Sequence, residues 1–600
     1  MPVPAPEEVA GFVVDLTQAG GADPGMLLQH LYRTQHRYSH VPAFAIDLLS
    51  RALSVPKSQI RGVIEFYAFL HLEPRGDFDI LISDSITDHM LGSRELLERL
   101  CERLGVRPGV PRPDGRVTVA TTSCTGMCDQ GPAGLVNGMA VTRLDEKRVD
   151  RIAELVEAGT ALEDWPAEFF EVRDNIRRKG ILLGAEHGDG SALEVLRKQG
   201  PDRMLAEIEH SGLRGRGGAG FNVGMKWRMC RETADEERVV VCNADEGEPG
   251  TFKDRVLLHS YADAVFEGMT LCAGVIGARH GYIYLRAEYH YLREHLAEVL
   301  DRRREQGLLG TGILGQPGFD FDIEIHMGAG AYICGEESAL LESLEGRRGV
   351  SRKRPPFPAI SGYRSQPTVV NNVETFLAAT RIAVNGGAWF RNFGTEQSPG
   401  TRLLSISGDC ANPGIYEYPF GVTIEEVLRD CAPVDAQAVQ IAGAAGLTLP
   451  SGEFGRRIAF EDVPTGGSFI VFDQRRDLLD MVKNFTDFFV HESCGFCTPC
   501  RVGGALLKNL VDKAYAGHAS DYDLQEMRNI GAVMKATSHC GLGKTAPNPV
   551  LETLGKFPEI YRRRIRHASY EPAFDLDGAL EEARQITGRD DAGAHLKEDA

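Results

Sequence analysis

Four cysteines near the C-terminal end of this 600-residue chain constrain its fold more than any other feature. Cys494, Cys497 and Cys500 recur at every third residue, and Cys540 follows much further along. Three closely spaced thiolates with a distant fourth are typical of a 4Fe-4S cluster, in which each cysteine binds its own corner of the cube. A structural zinc site more often has two separated Cys-x-x-Cys pairs, and zinc is the alternative. The spacing therefore predicts a 4Fe-4S cluster and a chain that carries electrons.

Composition narrows the class of protein. The chain has 66 basic and 85 acidic residues, a formal net charge of −19, which disfavours nucleic acid as a partner. No apolar stretch reaches the length of a membrane-spanning helix, and the acidic N-terminus lacks the basic and apolar regions of an export signal. Thirteen cysteines are too few for a disulfide scaffold of this length. We therefore expect a cytoplasmic protein without direct membrane insertion.

The sequence of the N-terminal quarter predicts two structural units. Apolar residues at helical spacing predict a helical bundle over residues 1–76. Short strands at 79–82 and 117–120, separated by a helix at 93–104, predict a small α/β unit over 77–155.

This second unit contains half of a metal site. Cys124 and Cys128 stand together, but the segment after the first strand has no cysteine. Residues 25–155 resemble the thioredoxin-like 2Fe-2S subunit of respiratory NADH:quinone oxidoreductase, and the resemblance places the missing ligands near Ser83 and Asp88. Serine and aspartate are poor replacements for iron-binding thiolates. We therefore expect a degenerate site without a 2Fe-2S cluster, in a domain that serves for docking.

A glycine-dense segment at 215–220 opens a larger α/β domain. Its glycines match the dinucleotide fingerprint, but an amphipathic helix precedes them where that motif requires a strand. Such a turn lets backbone N–H groups approach a phosphate, with Arg216 and Lys226 supplying charge. A flexible surface loop is the alternative.

Polar runs follow two predicted strands of the same domain. The strand at 239–242 leads into the acidic run 243–254, and the strand at 319–326 leads into glycines followed by Glu336 and Glu337. Ligands of α/β folds bind where strands end. The two glutamates could merely stabilise a helix N-terminus. Acids beside a phosphate-binding loop also suit a hydroxyl-rich ligand such as the ribityl chain of a flavin.

Five motifs in order give residues 180–565 a specific resemblance to the NADH-oxidising flavoprotein subunit of respiratory NADH:quinone oxidoreductase and of related NAD-linked hydrogenases and formate dehydrogenases. The motifs are Gly-Arg-Gly-Gly-Ala-Gly-Phe, Asn-Ala-Asp-Glu-Gly-Glu-Pro-Gly-Thr-Phe-Lys-Asp, Gly-Ala-Gly-Ala-Tyr-Ile-Cys-Gly-Glu-Glu, Val-Asn-Asn-Val-Glu-Thr and the four cysteines. The resemblance implies bound FMN and NAD(H). The residues that it implies for FMN are Gly215, Arg216, Gly217, Gly218, Gly220, Lys226, Asn243, Asp245, Glu246, Gly335, Glu336, Asn371 and Asn372.

The resemblance also implies where the nicotinamide dinucleotide binds. Glu337 would be the catalytic residue beside the nicotinamide, Phe221 and Phe357 would lie near the adenine, and Glu248 would bind a ribose. Two further cofactor-binding candidates are Tyr332 and Leu542.

The resemblance completes the expected layout as an α/β multidomain chain. A linker at 156–185 leads into a Rossmann-like FMN and NAD domain at 186–398. A ubiquitin-like β-grasp insert follows at 399–475, in which no residue offers obvious chemistry. A helical bundle with the 4Fe-4S cluster at 476–565 and a C-terminal tail at 566–600 complete the chain.

A cysteine-depleted thioredoxin-like domain fused to such a flavoprotein most resembles the diaphorase subunits of soluble NAD-reducing nickel-iron hydrogenases. This implies an NAD(H):acceptor oxidoreductase in a hetero-oligomer with a small iron-sulfur diaphorase subunit and hydrogenase subunits. The alternative is the NADH-handling subunit of a formate dehydrogenase or a respiratory complex. A non-catalytic iron-sulfur scaffold conflicts with the complete flavin motifs, and a flavin-free Rossmann dehydrogenase leaves the cluster unexplained. The sequence does not identify the electron-exchanging partner.

Overall fold

The computed structural model describes residues 4–185, 188–433, 435–565 and 576–590. Within them the chain is mixed α/β, with three sheets of four, six and four strands. Candidate-site residues that the sequence separates widely are brought together by loops at the edges of these sheets.

The N-terminal segment is helical, as its apolar spacing predicts. One helix after another buries a single apolar face; Ala45, Ile46, Leu49 and Leu53 are buried in the third. The helices are α1 (Pro6–Gly20), α2 (Leu27–Tyr38), α3 (Ala43–Leu53) and α4 (Lys57–Ile64).

A small α/β unit follows, with the strands and helix that the sequence predicts. The first strand pairs in parallel with the second and antiparallel with the third. Its elements are β1 (Phe78–Ser83), α5 (Ile86–His89), α6 (Ser93–Leu104), β2 (Val117–Thr122), β3 (Gly134–Val136), β4 (Met139–Val141) and α7 (Glu146–Ala158).

The segment expected to be a linker is packed onto the rest of the chain. Its strand β5 (Ile176–Arg178) joins the edge of the six-stranded sheet. Leu182 and Leu183 are buried, and their backbone N–H groups donate to the carboxylate of Glu417. The charged and proline-containing composition suggested a linker, but two buried leucines anchor its end.

The large α/β domain is built on a four-stranded parallel sheet covered by helices. In this sheet Asn243 and Asn372 occupy paired positions at the carboxyl ends of adjacent strands. The strands are β6 (Val239–Ala244), β7 (His280–Leu285), β8 (Asp322–Met327) and β9 (Thr368–Asn372), in the order β8-β7-β6-β9. The helices are α8 (Ser191–Gln199), α9 (Pro201–Ser211), α10 (Val223–Glu232), α11 (Lys253–Ser260), α12 (Ala262–Ile276), α13 (Arg293–Glu305), α14 (Glu337–Leu344), α15 (Val373–Asn385) and α16 (Gly387–Arg391).

The insert after this domain is a mixed sheet with one helix. Thr423 and Glu426 form a reciprocal capping box that begins the helix. The elements are β10 (Thr401–Gly408), β11 (Gly414–Pro419), α17 (Ile424–Cys431), β12 (Ala436–Ile441), β13 (Leu447–Pro450) and β14 (Ser468–Asp473), in the sheet order β13-β12-β14-β10-β11-β5.

The C-terminal region is helical, and its loops carry the four cysteines. Its helices are α18 (Leu478–His491), α19 (Thr498–Tyr515), α20 (Asp521–Thr537), α21 (Gly541–Thr545), α22 (Asn548–Lys556), α23 (Pro558–Arg562) and α24 (Leu576–Thr587). The rest of the predicted tail, 566–575 and 591–600, lies outside the described residues. Among the described helices, none has the length and hydropathy of a membrane span.

Candidate functional site

A cavity of about 560 Å³ lies where the strands of the parallel sheet end. Loops after β6 and β8, the end of β9, the glycine-rich segment and the insert all form its walls. The predicted site residues that line it are Arg216, Gly217, Gly218, Asn243, Asp245, Glu246, Glu248, Tyr332, Gly335, Glu336, Asn372 and Leu542. The structure thus brings together most of the site residues that were predicted from the sequence.

The glycine-rich segment forms one wall. The backbone N–H of Gly215 donates to the carbonyl of Phe221 at 2.8 Å and closes the loop. Gly218 has φ +115°, a conformation that side chains disfavour, and a Cβ added there would enter open space. The backbone of this wall is therefore bare toward the cavity, as close approach to a phosphate requires.

Two oxygen atoms from the loop after β6 are buried in the cavity wall without a hydrogen-bond partner. The Oδ2 of Asp245 and the Oγ1 of Thr251 are buried and form no hydrogen bond. Burial raises the pKa of Asp245 well above its ordinary value. Because buried polar groups are normally satisfied, these atoms fit a hydroxyl-bearing ligand such as the FMN ribityl chain.

Glu246 and Glu248 have different hydrogen-bond partners. Glu246 accepts bonds from the N–H of Asp254 at 2.8 Å and the hydroxyl of Tyr289 at 2.8 Å. Glu248 accepts from the Tyr332 hydroxyl at 2.5 Å and the Ala445 N–H at 3.0 Å. Burial raises the pKa of each glutamate to about 7.

The predicted catalytic residue forms an ion pair. The ammonium of Lys226 lies 3.0 Å from the Oε2 of Glu337 and also donates to the carbonyl of Val370 at 3.0 Å. Arg354 lies 3.2 Å from Glu336 and 3.6 Å from Glu337. Lys226 and Glu337 are not among the residues that line the cavity.

Glu336 caps a helix and also lines the cavity. Its Oε2 accepts from the N–H groups of Ser338 and Ala339 and so caps α14. Its Oε1 is buried beside the cavity without a hydrogen bond, 3.2 Å from the guanidinium of Arg354. Helix capping therefore uses one carboxylate oxygen, and the other belongs to the ion pair with Arg354.

Some predicted residues lie away from the cavity lining. Phe221 and Phe357 are 48% and 46% exposed. Asn371 is buried, whereas its neighbour Asn372 lines the cavity. The remaining predicted residues outside the lining are Gly215 and Gly220.

Sequence reasoning missed Lys253, which is 1% exposed and lines the cavity. Its ammonium lies 2.6 Å from Asp254, 3.0 Å from the Asn372 side-chain oxygen and 3.2 Å from Glu374. A lysine at the start of α11 looks like a surface residue. Its position at the end of the acidic run that follows β6 was the available signal.

The insert also contributes to the cavity, although no chemistry was expected of it. Its share of the wall is Ala442, Ala445, Gly446, Leu447, Pro464, Thr465 and Gly466. These residues are small or apolar and offer mostly backbone. Nothing in their composition marked them as part of a site.

The four predicted cluster cysteines come from two loops. Cys494 and Cys497 precede α19, Cys500 lies in its first turn, and Cys540 is the N-cap of α21. Burial, together with the other three cysteines and against a hydrogen bond to Ser493, raises the pKa of the Cys500 thiol to about 11. Their mutual influence shows that the four sulfurs are neighbours.

The donor set fits a cluster better than one zinc ion. Across the described ranges, no three His, Cys, Asp or Glu side chains converge on a point that one metal ion could occupy. Zinc requires all its sulfurs about 2.3 Å from one centre. In a 4Fe-4S cube each thiolate binds a separate iron, so the sulfurs need not meet.

The cluster loops border the cavity. Leu542, two residues after Cys540, lines it. Tyr332, another lining residue, donates its N–H to Glu492 at 2.9 Å and packs against Phe488 with ring centroids 5.0 Å apart. Residues of the cavity wall thus contact the segments that carry the cysteines.

In the N-terminal unit, hydrogen bonds occupy two of the four positions that the resemblance gives to 2Fe-2S ligands. The Ser83 hydroxyl donates to Asp88 at 2.6 Å, and the N–H of Ala133 donates to the other Asp88 oxygen at 2.9 Å. The sulfurs of Cys124 and Cys128 are 3.3 Å apart. Burial raises the pKa of Asp88, and Cys124 raises it further. The four positions are together, but Ser83 and Asp88 already satisfy each other.

Three family models match the chain. Residues 208–381 match the Nuo51 FMN-binding domain. Residues 16–157 match the thioredoxin-like [2Fe-2S] ferredoxin family, and residues 480–564 match the NADH-ubiquinone oxidoreductase-F iron-sulfur binding region. The matches have the order of the resemblances found in the sequence.

Individual proteins give a closer likeness. The NAD-reducing hydrogenase HoxS subunit alpha of Cupriavidus necator is 45% identical over 93% of this chain and 95% of its own length. The NADP-reducing hydrogenase subunit HndC of Solidesulfovibrio fructosivorans is 40% identical over 61% and 76%. A chain in the crystal structure of NAD+-reducing [NiFe]-hydrogenase in the H2-reduced state superposes with a TM-score of 0.90 at 42% identity, over 96% of this chain and 98% of that one. The chain therefore belongs to the family of the alpha subunits of NAD-reducing hydrogenase.

Proposed function

We propose that this chain is the NAD(H):acceptor oxidoreductase module of a NAD-reducing hydrogenase complex, with FMN in the cavity and a 4Fe-4S cluster on the four cysteines. When bound, FMN supplies the conversion between a two-electron hydride and single electrons. The observation that most directly supports this proposal is that Leu542, in the segment that begins at Cys540, lines the same cavity as the flavin motifs.

Different groups of the chain would bind different parts of the flavin. Backbone N–H groups of 217–219 would bind the phosphate, near the buried charge of Lys253. Asp245 and Thr251 would take up ribityl hydroxyls with their unpartnered oxygens. Asn243, whose amide donates to the carbonyl of Gly335 at 2.8 Å, joins the two strand-end loops around them.

The dinucleotide would approach through the polar side of the cavity. Glu337, held by Lys226, would orient the nicotinamide, and Glu248 would bind a ribose. With a pKa of about 7, Glu248 can either accept or donate a hydrogen bond to a hydroxyl near neutral pH. The exposed rings of Phe221 and Phe357 are free to stack on adenine.

An apolar surface beside the cluster suits a partner subunit. Phe496, between two cluster cysteines, is 61% exposed, and Val502, Leu506 and Val533 are 44%, 46% and 56% exposed. Exposed apolar groups concentrated near one site mark an interaction surface. We assign this face to the small iron-sulfur diaphorase subunit, with the hydrogenase subunits beyond it, in a cytoplasmic hetero-oligomer.

The relatives favour this assignment over a respiratory one. NADH-quinone oxidoreductase subunits F from Streptomyces coelicolor and Rhizobium meliloti cover only 63% and 61% of this chain. The hydrogenase alpha subunit also covers the N-terminal unit. We also propose the predicted domain boundaries, with 156–185 as a packed connecting segment, the Rossmann-like nature of the parallel-sheet domain and the β-grasp nature of the insert.

The test is to purify the complex from the organism that produces it. We expect a yellow-brown protein whose flavin absorbance bleaches on addition of NADH, together with nickel and further iron-sulfur subunits in the same particle. A colourless chain, or a flavin that NADH leaves oxidised, would contradict the proposed activity. Partners without nickel would contradict the hydrogenase assignment alone.

A further inference from the structure

The insert packs directly against the glycine-rich segment. The Phe460 ring lies directly on Gly220, because a Cβ added to that glycine would come within 2.3 Å of the ring. Gly220 has φ +65°, so both its conformation and its neighbour exclude a side chain. This contact joins the insert to the loop that closes the flavin cavity.

Arg214 links the same two parts. Its guanidinium carbon lies 4.1 Å from the centroid of the Phe460 ring, within cation–π distance. Its Nε donates to the carbonyl of Gly220 at 2.7 Å. The arginine therefore spans the base of the glycine loop and rests on an aromatic face that the insert supplies.

A second pair repeats this arrangement. The guanidinium carbon of Arg216 lies 4.7 Å from the centroid of the Phe420 ring, and the two phenylalanine rings are 5.3 Å apart. Arg402, also from the insert, donates to the carbonyl of Arg216 at 2.8 Å. Two arginines of the loop thus stack on two adjacent rings of the insert.

Phe460 is itself held in place. Its N–H donates to the hydroxyl of Ser398 at 2.9 Å, and that hydroxyl donates to Glu461 at 2.5 Å. The ring is not part of the hydrophobic core of the insert, against which the partly buried Phe454 packs. The ring therefore packs on the loop and on Phe420, and not in the core of the insert.

We propose that Phe460 is a positioning residue for FMN: with Phe420 it fixes Arg214 and Arg216, and so keeps residues 217–219 in the shape that binds the flavin phosphate. This inference rests on the proposed function, because it takes the cavity to bind FMN. It gives the insert a role in the flavin site.

The test compares FMN binding by the full complex before and after Phe460→Leu, with Phe460→Tyr as the conservative variant. FMN is removed, and its rebinding is followed by quenching of free-flavin fluorescence. We expect Phe460→Leu to weaken the Kd for FMN about tenfold, as loss of one cation–π contact allows. Phe460→Tyr keeps the aromatic face and should restore the wild-type Kd.

Phe454→Leu is the matched control, since it removes the same ring from a partly buried position against the core of the same insert. It should leave FMN affinity unchanged, and the EPR signal of the reduced 4Fe-4S cluster should persist in all three variants. If Phe460→Leu does not fold, Arg214→Lys tests the same contact from the loop side and should weaken FMN binding similarly. Wild-type FMN affinity in Phe460→Leu, or equal loss in Phe454→Leu, would overturn the inference. A wild-type protein that never binds FMN would instead refute the proposed function.

Discussion

The carboxylate of Glu492 accepts a hydrogen bond from the backbone N–H of Tyr332 at 2.9 Å. Its other oxygen accepts from the hydroxyl of Ser123 at 2.9 Å. Tyr332 lines the flavin cavity, and Glu492 stands two residues before Cys494. One side chain therefore ties the cavity wall, the cluster loop and the N-terminal unit together.

Glu492→Ala should loosen this junction. It leaves two donors without a partner, which costs about 1–3 kcal/mol for each that stays buried. We expect faster hydrogen exchange of residues 330–335, measured by mass spectrometry, with FMN still bound. Glu559→Ala, which removes an exposed carboxylate paired with Arg562, is the control and should change nothing there. Unaltered exchange in Glu492→Ala would show that the junction does not depend on this residue.

Glu337→Gln should retain FMN and slow NADH oxidation. The amide keeps the size of the side chain but removes the charge that pairs with Lys226. We expect kcat/KM for NADH to fall about tenfold, the equivalent of one charge-assisted hydrogen bond. Glu342→Gln, at a glutamate paired with Arg347 and Arg352 away from the cavity, should leave it unchanged. Loss of FMN with the cluster intact would mean that Glu337 mainly holds the flavin.

Local patterns in the sequence predict much of the fold. The helix 93–104 is found with those bounds, and the strand predicted at 239–242 is extended by two residues to Ala244. The segment 156–185 differs, because its strand β5 is only three residues long and depends on a distant edge of the insert sheet. Such a pairing leaves no periodic signal in its own segment.

The candidate site shows the same limit. Asn243, Asp245 and Gly335 were identifiable because they follow strands or belong to dense motifs. Thr465 and Phe460 act through their position in a domain that folds back over the glycine loop, so only the tertiary structure reveals them. Residues that contribute backbone or packing carry little chemical signature of their own.

Iron content tests the degenerate half-site. We expect about four irons per copy of this chain, those of one 4Fe-4S cluster. Ser83 and Asp88 are already hydrogen-bonded to each other, which supports the absence of a 2Fe-2S cluster. In the isolated chain, about six irons with a 2Fe-2S EPR signal would show this expectation to be wrong. The double variant Ser83→Cys with Asp88→Cys, beside Cys124 and Cys128, should gain about two irons.

Glu248 should make the stability of the flavin-free protein depend on pH. Burial raises its pKa to about 7 from an ordinary value of 4.5, so the folded state favours the protonated form. Its contribution to stability is full below pH 4.5 and is lost as the pH rises through 7. At pH 8 this loss amounts to about 3 kcal/mol, because each pKa unit corresponds to about 1.4 kcal/mol. Glu248→Gln should reduce the fall of the denaturant midpoint between pH 5 and 8, leaving the share that Glu246 contributes, and an unchanged fall would contradict the assignment.

Cys497→Ser should separate flavin reduction from electron delivery. The substitution weakens one ligand of the cluster without touching the glycine loop, Asn243 or Glu337, so NADH should still bleach the flavin. An artificial acceptor that reaches the flavin directly, such as ferricyanide, should still be reduced, whereas electron delivery to the partner subunits should fall by more than tenfold. Cys431→Ser, in the core of the insert, is the control and should retain both activities. Because the cluster also joins Cys540 to the α18–α19 loop, FMN content and the melting transition are measured alongside. If the folded, flavin-loaded variant couples NADH to the partners at the wild-type rate, the cluster is not the route by which electrons leave.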